Sequence, residues 1–209
     1  MQEDSILDRV VEQTINNLNA HHFDAVYFDS TDALKERILA ELDKKDSFAF
    51  GGSTTISQLG LKDFIISKGS TYIERKGDTP EIKLASERKA LTADIYFAGI
   101  NGLSSDGQIV NIDKRGNRVG AITFGPGRVI LITGTNKITD NLSGAIDRAK
   151  NTAAVLNCRR FDLSTPCTEA GNCTDCEHPD NICYTTVITK RSFPHKRIAV
   201  FILKGEYGF

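Results

Sequence analysis

Cysteine is missing from the first 157 residues, and the chain carries five in all. A secreted disulfide scaffold spreads its cysteines through a shorter chain, so this pattern points to a reducing compartment. Neither sign of charge prevails: 26 Lys and Arg stand against 27 Asp and Glu, a formal net charge of −1. Sequence-independent binding of nucleic acid needs clustered positive charge, and the balance argues against it. No apolar run approaches the roughly 18 residues that a membrane span needs. The opening Met1-Gln2-Glu3-Asp4-Ser5 is acidic, whereas a secretory signal begins basic and runs into an apolar stretch. A cytoplasmic protein with no nucleic-acid and no membrane partner is the expectation. Internal repeats and low-complexity linkers are absent too.

What is present suits one sizeable core, since 40% of the 209 residues are hydrophobic. Ile6, Val10, Val11, Ile15 and Leu18 fall on one helical face. Asp24–Phe28 reads as a strand, and Asp29 to Asp32 can cap a helix through Leu34, Ile38, Leu39 and Leu42. Ser47–Phe50 is a short strand that stops at two glycines. A helix begins within Ser53-Thr54-Thr55, with a break at Gly60, and Pro80 opens another through Ile82, Leu84 and Leu91. Asp94–Ile100 reads as a buried strand, and Val129–Ile132 is a continuous apolar run, as expected of a central strand covered on both faces. Between them, positions 107–134 read as short strands with tight turns at 113–117 and 125–127. Asp140–Leu156 is helical, and strands near Tyr184–Thr189 and Ile198–Leu203 follow the cysteines. Alternating strands and helices predict an α/β fold: three layers, a mostly parallel central sheet flanked by helices, and added antiparallel strands in the middle of the chain. The expected organisation is a single domain over 1–209. Residues 1–45 are its helical lead-in and first strand, and 159–184 a cysteine-rich loop appended to it.

Four loops carry candidate ligand groups. Gly51-Gly52-Ser53-Thr54-Thr55 follows a strand and opens a helix. Its glycines let backbone N–H groups approach a ligand, its hydroxyls add donors, and a helix N-terminus attracts anions. The same run suits an ordinary capped turn. It is neither a Walker P-loop nor a dinucleotide GxGxxG. Asn101-Gly102 through Asp106-Gly107 leaves a second strand end, where open α/β sheets bind ligands. Asn101 can orient a polar ligand, and Asp106 can act as base; both pairs also suit simple turns. Asn117 and Arg118 follow Gly116, and a guanidinium clamps carboxylate or phosphate with two donors; a solvated turn arginine is the plainer reading. Asn136 and Lys137 follow the apolar strand, where the lysine can neutralise a ligand's charge or merely precede a helix. Together these residues suit a small anionic ligand.

Cys167-x5-Cys173-x2-Cys176-x6-Cys183 contains a CxxC pair. Four close thiols suit tetrahedral zinc or an iron–sulfur cluster, with His178 as a substitute ligand. Disulfides, or reduced thiols in a structured loop, are the alternatives. Cys158 lies at a helix end and reads as buried packing.

These pieces, in this order, resemble the LUD (lactate-utilisation) domain family: Gly51–Thr55, Asn101-Gly102 through Asp106-Gly107, Gly116-Asn117-Arg118 through Phe124-Gly125-Pro126, and Gly134-Thr135-Asn136-Lys137-Ile138. Asn157-Cys158-Arg159-Arg160, the cysteine segment and Glu206-Tyr207-Gly208-Phe209 are similar to one branch of it. The resemblance implies a fold similar to ribose-5-phosphate isomerase, glucosamine-6-phosphate deaminase and the CoA transferases, whose glycine and Ser/Thr loop binds phosphate. The isomerases' Asp-Gly-Ala-Asp run is absent here. The resemblance also implies a link to oxidation of L-lactate to pyruvate with iron–sulfur partner subunits. A phosphosugar isomerase, a CoA-ester enzyme on the same fold and a metal-holding accessory subunit are the other readings. A homo-oligomer fits each of them.

Overall fold

The computed structural model describes residues 2–42, 46–68 and 71–209. Met1 and the boundary expected at residue 45 lie outside them. In chain order, helix α1 (Gln2–Ala20) leads to β1 (Asp24–Phe28), α2 (Thr31–Glu41), β2 (Ser47–Phe50), the short helices α3 (Thr54–Gln58) and α4 (Leu61–Ile66), β3 (Thr71–Tyr72), α5 (Pro80–Ala90) and β4 (Ile95–Gly99). Next come β5 (Gly102–Ser104), β6 (Ile109–Asp113), α6 (Asn117–Thr123), β7 (Arg128–Gly134) and β8 (Ile138–Thr139). A long helix then runs from α7 (Leu142–Arg148) through a π-helical segment, Ala149–Ala154, into α8 (Val155–Arg160). It is followed by α9 (Pro166–Ala170), β9 (Thr185–Thr189) and β10 (Ile198–Leu203).

Among the described residues, six strands form a sheet in the order β1-β10-β7-β4-β2-β3, and each pairing is parallel. The apolar runs of the sequence are its central strands, and their side chains alternate between two cores. Val129 and Leu131 of β7, with Val200 and Ile202 of β10, face Leu18, Ala90 and Ile122 of the α1, α5 and α6 layer and Phe23 of the link from α1 to β1. Ile130, Ile132, Phe201 and Leu203 face Leu34, Ile38, Ile56 and Ile65 of the α2, α3 and α4 layer. Burying both faces requires an apolar residue at every position, at about 1.5–3 kcal/mol for each large side chain. The three-layer α/β expectation holds.

The added strands form a second sheet, β8-β5-β6-β9, antiparallel at β5/β6 and β6/β9 and parallel at β5/β8. Val110 and Ile112 pack on Ala145, Ala149 and Ala154 of the long helix, while Leu103 and Ile109 join the main core. Gly102 makes this approach possible, because a Cβ there would overlap the Ala145 carbonyl oxygen.

Three local expectations change. Residues 117–123 form α6, not strand and turn: Gly116 turns the chain at φ 75°, and the Asp113 carboxylate accepts the N–H groups of Arg118 and Val119. The inward face of α1 is Val11, Thr14 and Leu18, and Ile6 is exposed. The cysteine segment holds a short helix, α9. The break at Gly60 is real, with φ 60° between α3 and α4. No described helix is long and apolar enough to cross a membrane.

Candidate functional site

From β2 the chain moves outward to β3, whereas from β4 it moves in the opposite direction to β7. The carboxyl ends of β2 and β4 therefore flank a crevice, the place where open α/β sheets bind ligands. Three loops meet there: 51–55 after β2, 99–101 after β4 and 134–137 after β7. Gly51 donates its N–H to the Phe97 carbonyl at 2.8 Å, and Ser53 caps α3 by accepting from the Ile56 N–H. The first two loops touch at Gly99, where a Cβ would stand 2.5 Å from Ser53 Oγ. Gly99→Ala should therefore push Ser53 off its cap. We expect a loss of about 1–3 kcal/mol in urea unfolding, the usual cost of overpacking.

Lys137 lies at the floor of the crevice and is 2% exposed. Its Nζ donates to Thr55 Oγ1 and to the Ile100 carbonyl, both at 3.1 Å. Burial, and then the charges of Arg148 and Arg118, push its pKa down from 10.5 to about 7. Arg118 stands beside it on α6. Its guanidinium donates to the Ile112 carbonyl at 2.5 Å and to Asn101 Oδ1 at 2.9 Å. Asp113 is 4.0 Å from its Nε, and burial lowers the arginine's pKa. Arg148 ties the loops together, donating to the carbonyls of Asn101 and Asn136.

Above this floor opens a cavity of about 500 Å3, within the range of small-molecule sites. Among the described residues its wall carries Arg75, Lys114, Arg115, Arg118 and Arg160 against one carboxylate, Asp113. Glu87 holds Arg115 at 3.1 Å, and Arg160 donates to Thr54 Oγ1 at 3.0 Å. A niche of about 20 Å3 continues inward between Gly52, Ser53, Thr54, Asn101, Arg118 and Lys137. Cavity and niche share Gly52, Arg118 and Asn157. The niche is polar and about the size of one water.

A family model described as the LUD domain matches residues 11–203. The chain belongs to the LUD-domain family. Its fold is similar to the crystal structure of a DUF162 family protein from Deinococcus radiodurans, with a TM-score of 0.55 and 14% identity over 95% of this chain and 98% of that one. No curated protein matches the sequence.

In this LUD domain, Gly52, Ser53, Thr54, Asn101, Arg118 and Lys137 meet at the niche, and Asn117 lines the outer cavity. Gly51 lies beneath Arg118, whose Cγ and Cδ occupy the space over it. Thr55 holds Lys137 and donates to the Tyr207 carbonyl. Asn136 faces residues 207–208 instead of the cavity: Oδ1 accepts from Tyr207 N–H and Nδ2 donates to the Gly208 carbonyl. Asp106 is not brought in. It is exposed in the turn between β5 and β6, where Gly107 takes φ 78° against the backbone of Asn17 in α1. For Asp106-Gly107 the plain turn reading holds.

Arg75, Lys114, Arg115, Asn157 and Arg160 were not anticipated as site residues. Lys114 and Arg115 had a signal, since they precede the Arg118 loop. Asn157 and Arg160 stood out only through the family resemblance of Asn157-Cys158-Arg159-Arg160, and helical periodicity could not aim them at the site, because the π-helical segment at 149–154 resets the phase of α8. One extra residue per turn rotates everything after it, and π segments cluster at functional sites.

The cysteines form a separate group in the LUD chain. Cys158, Cys167, Cys173, Cys176 and Cys183 line a second cavity of about 320 Å3. All are free thiols. Burial and the neighbouring sulfurs push Cys183 up to about 12. His178 is not on this wall; its Nδ1 accepts from the Asp180 N–H. Among the described residues, no three His, Cys, Asp or Glu side chains converge closely enough to hold a metal ion.

Proposed function

We propose that the crevice binds a small anionic ligand, and that within lactate utilisation this is a 2-hydroxy or 2-oxo carboxylate. One observation carries the reading: five cationic side chains against one carboxylate around a cavity that narrows onto Arg118 and Lys137. A balanced surface has no reason to gather such a field, and a cavity wall of low dielectric strengthens it. The carboxylate would pair with Arg118 and Arg160, with hydrogen bonds from the 52–54 loop.

Lys137 gives the site its chemistry. Near pH 7 both of its protonation states are populated. Neutral, it can take the proton of a ligand hydroxyl; charged, it can polarise a carbonyl. Oxidation of L-lactate to pyruvate also removes two electrons. The family's iron–sulfur partner subunits would accept them, and this chain would supply binding and proton transfer.

A thermal-shift screen of L-lactate, pyruvate, a sugar phosphate and an acyl-CoA tests the reading. We expect the melting temperature to rise with lactate or pyruvate, and the rise to be lost in Arg160→Ala, whose side chain lies on the outer wall. Equal responses of wild type and Arg160→Ala, or no response to any of the four, would sink it. A response confined to sugar phosphate or acyl-CoA would replace it with an isomerase or CoA-ester reading.

A further inference from the structure

The anion cavity leaves the five cysteines without a task. They come from α8 (Cys158), α9 (Cys167), the following loop (Cys173 and Cys176) and the approach to β9 (Cys183), yet they surround one space of about 320 Å3. Core packing does not account for this, because Cys173, Cys176 and Cys183 are only half-buried. A single tetrahedral zinc does not account for it either. That ion draws four thiolates to about 2.3 Å from one point, and such convergence is not found among the described residues. Sulfurs spread around an open volume suit an inorganic core of several atoms.

The sulfurs also have donors of the kind that tune clusters. The Asp175 N–H reaches Cys173 Sγ at 3.5 Å, and the Thr165 hydroxyl lies 3.2 Å from Cys167 Sγ. The rim is closed by the Lys150–Asp175 ion pair at 2.6 Å, and Asn151 Oδ1 holds the Cys173 N–H at 2.8 Å. Both partners project from the π-helical segment. The loop is thus fastened to the helix that also carries Asn157 and Arg160.

We infer that Cys167, Cys173, Cys176 and Cys183 bind an iron–sulfur cluster in this cavity, with Cys158 packed against it as wall. The inference stands apart from the anion site, although Ile112 lines both cavities.

The test uses the full chain, purified without oxygen and then treated with ferric iron, a thiol reductant and sulfide, so that the iron itself brings the oxidising equivalents of the cluster. Iron, zinc, acid-labile sulfide and visible absorbance are measured. We expect iron and sulfide in equal amounts, with broad absorbance that dithionite bleaches. Cys173→Ser/Cys176→Ser alters the half-exposed rim, so it should keep the wild-type circular dichroism and lose iron and sulfide together. Cys158→Ala should keep both. Zinc without iron, a chain that stays colourless after treatment, or a folded double variant that retains its iron would each overturn the inference. If the double variant does not fold, the wild-type metal and sulfide content decides alone.

Discussion

Arg118→Ala should lower stability by about 2–4 kcal/mol and abolish ligand binding. The guanidinium is one of the few charges held inside this fold, with 11% of its side chain exposed. It satisfies the Ile112 carbonyl and one side of Asn101 Oδ1. Truncation strands the first and weakens the second, and each unsatisfied buried acceptor costs about 1–3 kcal/mol. Asp113 also loses its nearest cation, although it keeps the two α6 N–H groups. The midpoint of urea unfolding, at unchanged slope, reads this loss. Arg118→Lys should regain part of the stability and little of the binding. An ammonium is a point charge and cannot span two acceptors as the planar fork does. Because Arg118 repels the Lys137 charge, its removal should also move the lysine's titration to higher pH.

Lys137 makes stability depend on pH in a direction opposite to that of a paired lysine. Its folded pKa is about 7, against 10.5 in the unfolded chain. Between those values the unfolded chain holds a proton that the folded chain lacks. Stability therefore rises as pH rises from about 7 to 10.5, by up to ~1.4 kcal/mol per unit and by ~5 kcal/mol at most. Below about 7 both states are protonated and the dependence vanishes. Cys183 acts in the other sense at alkaline pH, because its thiol is held protonated up to about 12. The informative quantity is thus the difference between wild type and Lys137→Met, measured by urea unfolding across that window. The variant should lack the rise. An anion next to Nζ should pull the lysine's pKa back up, so ligand binding near pH 7–8 should take up a proton.

The central strands were legible because burial on both faces leaves no room for a polar residue in Val129–Ile132 or Ile198–Leu203. The 51–55 loop was legible because two glycines between an apolar strand and three hydroxyls mark a close approach of backbone. Other parts were written in contacts between distant segments. Lys137 was visible after its strand, but its lowered pKa was not. That comes from burial first, and then from the repulsion of Arg148 and Arg118, contacts between segments far apart in the chain. The helix at 117–123 was hidden because its first turn is held by Asp113, outside the segment, and because Gly120 and Thr123 weaken its local propensity. Arg160 was out of reach of helical periodicity, since the phase changes within 149–154. Asp106 misled in the opposite direction. A carboxylate beside a glycine fits a turn as well as a site, and only the position of α1 decides between them.

Calorimetric titration of pyruvate into wild type and Lys137→Met at pH 7 bears most directly on the anion site. The account predicts saturable binding to the wild type and binding at least about tenfold weaker in the variant, the share expected of a charge-assisted hydrogen bond worth ~1.5–3 kcal/mol. Equal affinities in two folded proteins, or no heat from the wild type, would contradict it.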